Sequence, residues 1–215
     1  MYNIKKILKN NANADNALKM KRYMKNHFDF LGIQAAKRKE LSKPLLKELK
    51  DQDIDWTLVE DLWEENEREF QYIACDYLFQ QRKKLQKSDL EKLKKLALKK
   101  SWWDSIDSID RSIAYLVEQY PELKTEILQW SKSDNIWLRR ISIIYQRLNK
   151  EKTDIEILER VIINNLNSTE FFINKGIGWA LRSYSKVNPN WVENFIDKNQ
   201  AGLSKLSIRE GSKYL

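Results

Sequence analysis

Four stretches of this chain carry one local signature, a polar cluster followed by an aromatic at a helix start: NEREFQ, KKSWWD, SDNIWL and NSTEFF. Their aromatics, Phe70, Trp103, Trp137 and Phe171, recur at intervals of 33, 34 and 34 residues. A period of that length is one helix–turn–helix unit, and such a unit is too small to bury its own apolar face. Neighbouring units must stack, which commits the chain to an all-α solenoid. The presence of only 5 glycines and 3 prolines in 215 residues agrees with this. Sheets need many turn-formers, whereas helices joined by short loops do not. A single domain over residues 1–215 is expected.

Apolar periodicity predicts helices over 2–10, 16–29, 36–50, 54–66, 67–83, 88–99, 103–118, 121–132, 134–150, 154–165, 169–186, 189–199 and 204–213. Pro121 and Pro189 suit first-turn positions, and Ser88, Asp134 and Ser168 are candidate caps. Cys75 is the one cysteine and His27 the one histidine, so neither a disulfide framework nor a Cys/His zinc site is expected. Cys75, among Ile73, Ala74 and Tyr77, reads as a small buried hydrophobe, and His27 as a structural hydrogen-bonder. No metal or organic cofactor is indicated. No apolar run approaches the roughly 20 residues of a membrane span, and MYNIKKILKN lacks the apolar core of a signal peptide. The chain is expected to be soluble, cytoplasmic and monomeric.

Charge is unevenly distributed. Residues 1–50 carry a net +9 and residues 51–75 a net −8, within an overall +8. One basic face and one acidic, solvated face would follow, and a basic face suits a polyanion. Charge alone leaves ordinary solvated helix surface open as the other reading.

The two adjacent tryptophans fall on different faces. With SWWDSIDSIDRSIAYL as a helix, Trp102, Ile106, Ile109, Ile113 and Leu116 form one apolar stripe. Trp103 is turned about 100° away, on a face shared with Asp107, Asp110 and Arg111. It is either a contact residue or packed on a neighbouring helix pair. In STEFFINKGIGWALRSYSK, the core stripe is Ile173, Ile177, Ala180, Leu181 and Tyr184. Lys175, Trp179, Arg182 and Lys186 lie on another face. An indole among cations is how proteins hold a nucleic-acid backbone and stack on its sugar or base; surface cation–π packing is the alternative. Helix 134–150 adds Arg139, Arg140 and Arg147, of which the last two share a face.

A carboxylate such as Asp107 beside phosphate is unfavourable, by about 4 kcal/mol at 4 Å and an effective dielectric near 20. Either Asp107 faces positive charge that develops in a reaction, as when an N-glycosidic bond breaks and the sugar becomes oxocarbenium-like, or it orients an arginine.

The stretches RYMKNHFDFLGIQ (22–34), LWEENEREFQ (62–71), KSWWDSIDSI (100–109), SDNIWLRR (133–140) and FFINKGIGWALRSY (171–184) recur in this order over nearly the whole chain. In them the chain resembles the HEAT-like-repeat DNA alkylation-repair glycosylases, the AlkD type. The resemblance implies a right-handed α-solenoid of HEAT-like repeats whose concave basic surface clamps double-stranded DNA, alkylated or structurally unusual. It implies hydrolysis of the N-glycosidic bond of cationic N3- and N7-alkylated purines, through contacts to sugar and backbone rather than a base pocket. By motif match, Asp107 is the catalytic carboxylate, and Trp103 and Trp179 are the aromatic walls. Arg140 holds phosphate, with Arg182 assisting. Lys175, Lys186, Arg147, Tyr23 and Lys39 complete the candidate DNA contacts.

The chain departs from the family pattern in a shorter element before RYMKNHF, in Ala35 and Ala36 after GIQ, and in an abrupt end at SIREGSKYL. These departures define the alternative expectation, a relative that binds DNA without excising alkylpurines.

Overall fold

The computed structural model describes residues 3–215. Among them are thirteen α-helices, one for each expected from sequence; Tyr2, where the first was expected to begin, lies outside the described residues. The chain divides into two compact units, Met1–Gln86 and Lys87–Leu215. No helix among the described residues is long and apolar enough to cross a membrane.

The first unit holds α1 (Ile4–Asn10), α2 (Ala14–Tyr23), α3 (Ala35–Glu48), α4 (Trp56–Glu64) and α5 (Arg68–Gln80). Helix α3 packs on α1 and α5, and α4 packs on α5. Helix α2 stops six residues before its expected end at residue 29. Lys25 and Asn26 both take left-handed φ values, 53° and 61°. The Asn26 amide then returns to the Lys21 carbonyl at 2.8 Å, which satisfies a last-turn acceptor. The chain leaving this turn is held by Glu69, whose buried carboxylate accepts the amides of Leu31, Gly32 and Ile33 at 2.9–3.0 Å. Gly32 has φ 82°, and a Cβ there would sit 2.0 Å from the Asn13 carbonyl oxygen, so only glycine fits. Phe70 and Cys75 are buried in this unit, while His27 is exposed beside Phe28.

The second unit holds α6 (Asp89–Leu98), α7 (Trp103–Gln119), α8 (Lys124–Trp130), α9 (Ile136–Ile144), α10 (Ile155–Ile163), α11 (Phe171–Ser185), α12 (Pro189–Lys198) and α13 (Lys205–Gly211). Helices α7, α9, α11 and α13 pack in succession, each on the next. Helices α6, α8 and α12 cover α7, α9 and α11, respectively, and α10 packs on α8 and α9. This layering of alternate helices is the nearest-neighbour stacking of a helical-repeat solenoid. Pro189 opens α12, and Pro121 opens a short 3₁₀ turn before α8.

Of the expected caps, none acts as such. Asn135 rather than Asp134 caps α9, accepting from the amides of Trp137 and Leu138. Ser88 precedes α6 without a capping hydrogen bond. Glu170 stands at the start of α11, with the Ser168 hydroxyl accepting the Glu170 amide from outside the helix.

The repeat aromatics are not equivalent. Across the repeats of the second unit, Trp102, Trp137 and Phe172 form one mutual cluster, with ring centroids 5.1–5.7 Å apart. The packing register therefore runs through 102, 137 and 172. Phe171, one residue off it, is 59 % exposed.

Candidate functional site

The face carrying Trp103 and Asp107 belongs to α7. Ile106, Ile109, Ile113 and Leu116 bury its opposite stripe, which fixes the helix's rotation. Trp103 is the first helical residue and half-buried, one turn before Asp107. Asp107 is clamped by Arg140 of α9. The Arg140 Nε donates to Oδ1 at 2.8 Å, and Nη2 donates to Oδ2 at 2.7 Å. This is a two-point fork on a carboxylate. The third edge of the guanidinium donates to the Phe172 carbonyl at 2.6 Å. Arg140 is 3 % exposed and Asp107 12 %. The arginine that sequence offered as a phosphate holder is thus interior, its donors turned on Asp107 and the start of α11.

Arg147 lies in the turn after α9 and joins the two ends of the site. Its Nη2 donates to the Asp107 backbone carbonyl at 2.8 Å, its Nη1 meets the buried Asp110 carboxylate, and its guanidinium carbon stands 4.7 Å from the Trp179 ring centroid. Burial pushes this guanidinium below the usual arginine value, and the charge of Asp107 opposes the shift. Trp179 of α11 is half-buried, with Arg147 over its ring. One arginine therefore couples the Asp107 turn to Trp179.

The cations flanking Trp179 along α11 have partners that sequence reasoning missed. Glu210 of α13, 6 % exposed, bonds Lys175 at 3.1 Å, Arg182 at 2.6 Å and Lys213 at 3.0 Å. The Lys213 ammonium, joined by that of Lys175, holds the Glu210 carboxyl down to about 2. Lys186 lies 4.5 Å over the Tyr214 ring. The segment SIREGSKYL thus supplies, through Glu210, the counter-ion of Lys175 and Arg182.

The signal for this lay in Gly176 and Gly178. Two glycines within a helix cost about 1 kcal/mol each against alanine, which marks close approach. A Cβ at Gly178 would stand 2.6 Å from that of Glu210 and 3.1 Å from the Ser207 carbonyl oxygen. Arg139 points elsewhere, bracing Asn165 at 2.7 Å and Ser168 at 3.3 Å. Tyr23, 72 % exposed, and Lys39, also exposed, belong to the first unit.

Asp107 is thus held by two charged hydrogen bonds, one helical turn after Trp103 and joined to Trp179 through Arg147. Among solved structures, a protein from Enterococcus faecalis described as a predicted DNA alkylation repair enzyme is 38% identical. The match covers 95% of this chain and 96% of that one, with a TM-score of 0.89. AlkD2 from Streptococcus mutans matches at 21% identity over 91% of this chain and 99% of that one, with a TM-score of 0.67. The protein smu.31 from Streptococcus mutans UA159 matches at 16% identity over the same shares, with a TM-score of 0.61. The last two likenesses are of fold. No curated protein gives a significant match. The family model for DNA alkylation repair enzymes matches residues 4–215, and the chain belongs to that family.

Proposed function

We propose that this protein is a DNA glycosylase that hydrolyses the N-glycosidic bond of cationic N3- or N7-alkylated purines, acting as a monomer on double-stranded DNA. The observation that carries the reading is the two-point Arg140–Asp107 clamp at 2.7–2.8 Å, with Trp103 one turn away and Trp179 joined through Arg147.

The chemistry follows from charge. An alkylated purine already carries a positive charge. As the C1′–N bond breaks, its electron pair leaves with the base, which becomes neutral, and the positive charge moves to the sugar. The Asp107 carboxylate faces that developing charge, and water adds to C1′ while its proton passes to solvent. Arg140 has two effects. It fixes the direction of the carboxylate before reaction, so no reorganisation is needed. It also balances the Asp107 charge, which offsets the repulsion of about 4 kcal/mol that a bare carboxylate would exert on a nearby phosphate. Trp103 and Trp179 supply flat surfaces for the deoxyribose and its neighbours. Arg140 weakens the attraction of Asp107 for the sugar cation as it weakens the repulsion of phosphate, so Asp107 contributes less than about 4 kcal/mol in the transition state. Each remaining step of about 1.4 kcal/mol is tenfold in rate, which suits a bond weakened by alkylation.

The test is incubation with duplex containing N7-methylguanine, followed by assay for abasic sites. Wild-type protein should release base, and Asp107→Asn should bring release to background while folded variant still binds the duplex. Absence of release by wild type would overturn the reading and leave the non-excising DNA-binding relative. Undiminished release by the variant would remove Asp107 from the chemistry.

A further inference from the structure

We propose that α3 and the turn after it carry a lesion-independent phosphate track: Lys39, Lys43 and Lys47 of the helix, with Lys50 just past its end, edge a groove that takes the sugar–phosphate backbone of duplex DNA. The inference rests on the duplex-DNA reading above, and adds to Lys39 three residues that the sequence reading left unassigned.

Lys39, Lys43 and Lys47 recur at intervals of four residues, which places them within one arc of α3 about 80° wide, and Lys50 follows in the turn beyond the helix. All four are exposed, and none makes an ion pair or hydrogen bond through its side chain. The charges around them are spoken for. Lys37 pairs with Glu40 at 2.8 Å. Arg38 pairs with Asp76 at 3.6 Å and stacks on Tyr72 at 4.6 Å. Glu48 is turned about 100° from Lys47 on the helix. Among the described residues the lysine row thus has no ion-pair partner within 4 Å, and the one carboxylate lining the groove, Asp76, is paired with Arg38.

A row of like charges at four-residue spacing destabilises a helix, and a local rule broken without compensation points to function. A bound polyanion would relieve the repulsion.

The four side chains line a single groove of about 410 Å³ together with Asp76 and Gln80 of α5. Gln80 donates from Nε2 to the Leu46 carbonyl at 2.6 Å, which ties the groove's two walls together. From Lys39 to Lys47 the helical rise amounts to about 12 Å. One DNA strand presents a phosphate about every 3.4 Å along the duplex axis, so the helical part of the row spans about four phosphates. Regularly spaced ammonium groups match a backbone rather than a sequence, and the groove's amide, Gln80, donates to the Leu46 carbonyl.

The experiment uses the full chain and an undamaged duplex, with affinity followed between about 50 and 200 mM salt. Each phosphate neutralised contributes about 0.9 to the log–log slope, so Lys43→Gln, Lys47→Gln and Lys50→Gln together should flatten the slope by about 2.7. The corresponding triple replacement by arginine should retain the wild-type slope, which separates loss of charge from loss of fold. A wild-type slope in the glutamine variant would overturn the track. So would displacement of DNA by polyglutamate of matched charge as effectively as by free duplex, which would make an acidic protein the partner. Base release from N7-methylguanine duplex is scored separately. Loss of slope in the variant with no release by wild type keeps the track and removes the glycosylase. Release by wild type with an unchanged slope in the variant does the reverse.

Discussion

Asp107 and Arg140 show how one residue's meaning depends on another 33 positions away. The sequence places an acid on a face with Trp103 and an arginine on a different helix, and leaves open whether the acid meets a reacting sugar or an arginine. The structure shows the arginine contact, and that contact is compatible with the proposed chemistry because the Asp107 side chain, though largely buried, keeps 12 % exposure. The pair also holds α7, α9 and the start of α11 together, since the third guanidinium edge reaches the Phe172 carbonyl. Lysine keeps the charge at this position but cannot present the fork. Arg140→Lys should therefore lower stability by about 3 kcal/mol, at the low end for breaking a buried pair, as read from urea unfolding. A change below about 0.5 kcal/mol, the range of ordinary surface substitutions, would show that the clamp does not bind these helices together.

At the scale of elements, the helices were legible because apolar spacing survives in sequence, while several ends were not. Helix α2 stops at Tyr23 because two residues take left-handed backbone, and helix α9 stops at Ile144, six residues before its expected end. Neither leaves a mark in the apolar period. The repeat was visible, but its packing register was displaced to Trp102, Trp137 and Phe172. Adjacent aromatics at a helix start cannot be ranked until the neighbouring helix is in place. The contact of α11 with α13 makes two glycines behave oppositely. Gly178→Ala drives a methyl against the Glu210 Cβ and the Ser207 carbonyl, which should cost about 1–3 kcal/mol as overpacking. Gly176→Ala meets only the Arg140 guanidinium and Ile144 at 3.4 Å, and should be neutral or stabilising by up to about 1 kcal/mol. Thermal unfolding of the two variants tests this, and equal effects would mean that the α11–α13 spacing is not set by Gly178.

For the molecule as a whole, charge governs both partner and stability. The chain carries +8 at pH 7, and this grows as its 31 acidic residues protonate, so acid adds self-repulsion. Glu210 contributes within that window. Its carboxyl lies at about 2 in the folded protein against an ordinary 4.5. Its stabilising effect is therefore complete above about 4.5, and is lost as pH falls from there through about 2. Glu210→Gln should lower stability at pH 7 by about 1–3 kcal/mol, the worth of hydrogen bonds to a charged group. It should also lose less further stability than wild type between those two pH values. Parallel acid-unfolding curves would show that Glu210 is not coupled to its cations. The sequence by itself determined the all-α repeat, the number of helices, the family and the residue types at the candidate site, because periodicity and motif are local in the chain. Only the tertiary structure decided which charges neutralise one another: Arg140 with Asp107, Arg147 with Asp110, and Glu210 with Lys175 and Arg182. These partners lie 28–37 residues apart, and ion pairing depends on distance in space, which stacking of the helices sets and the order of residues does not.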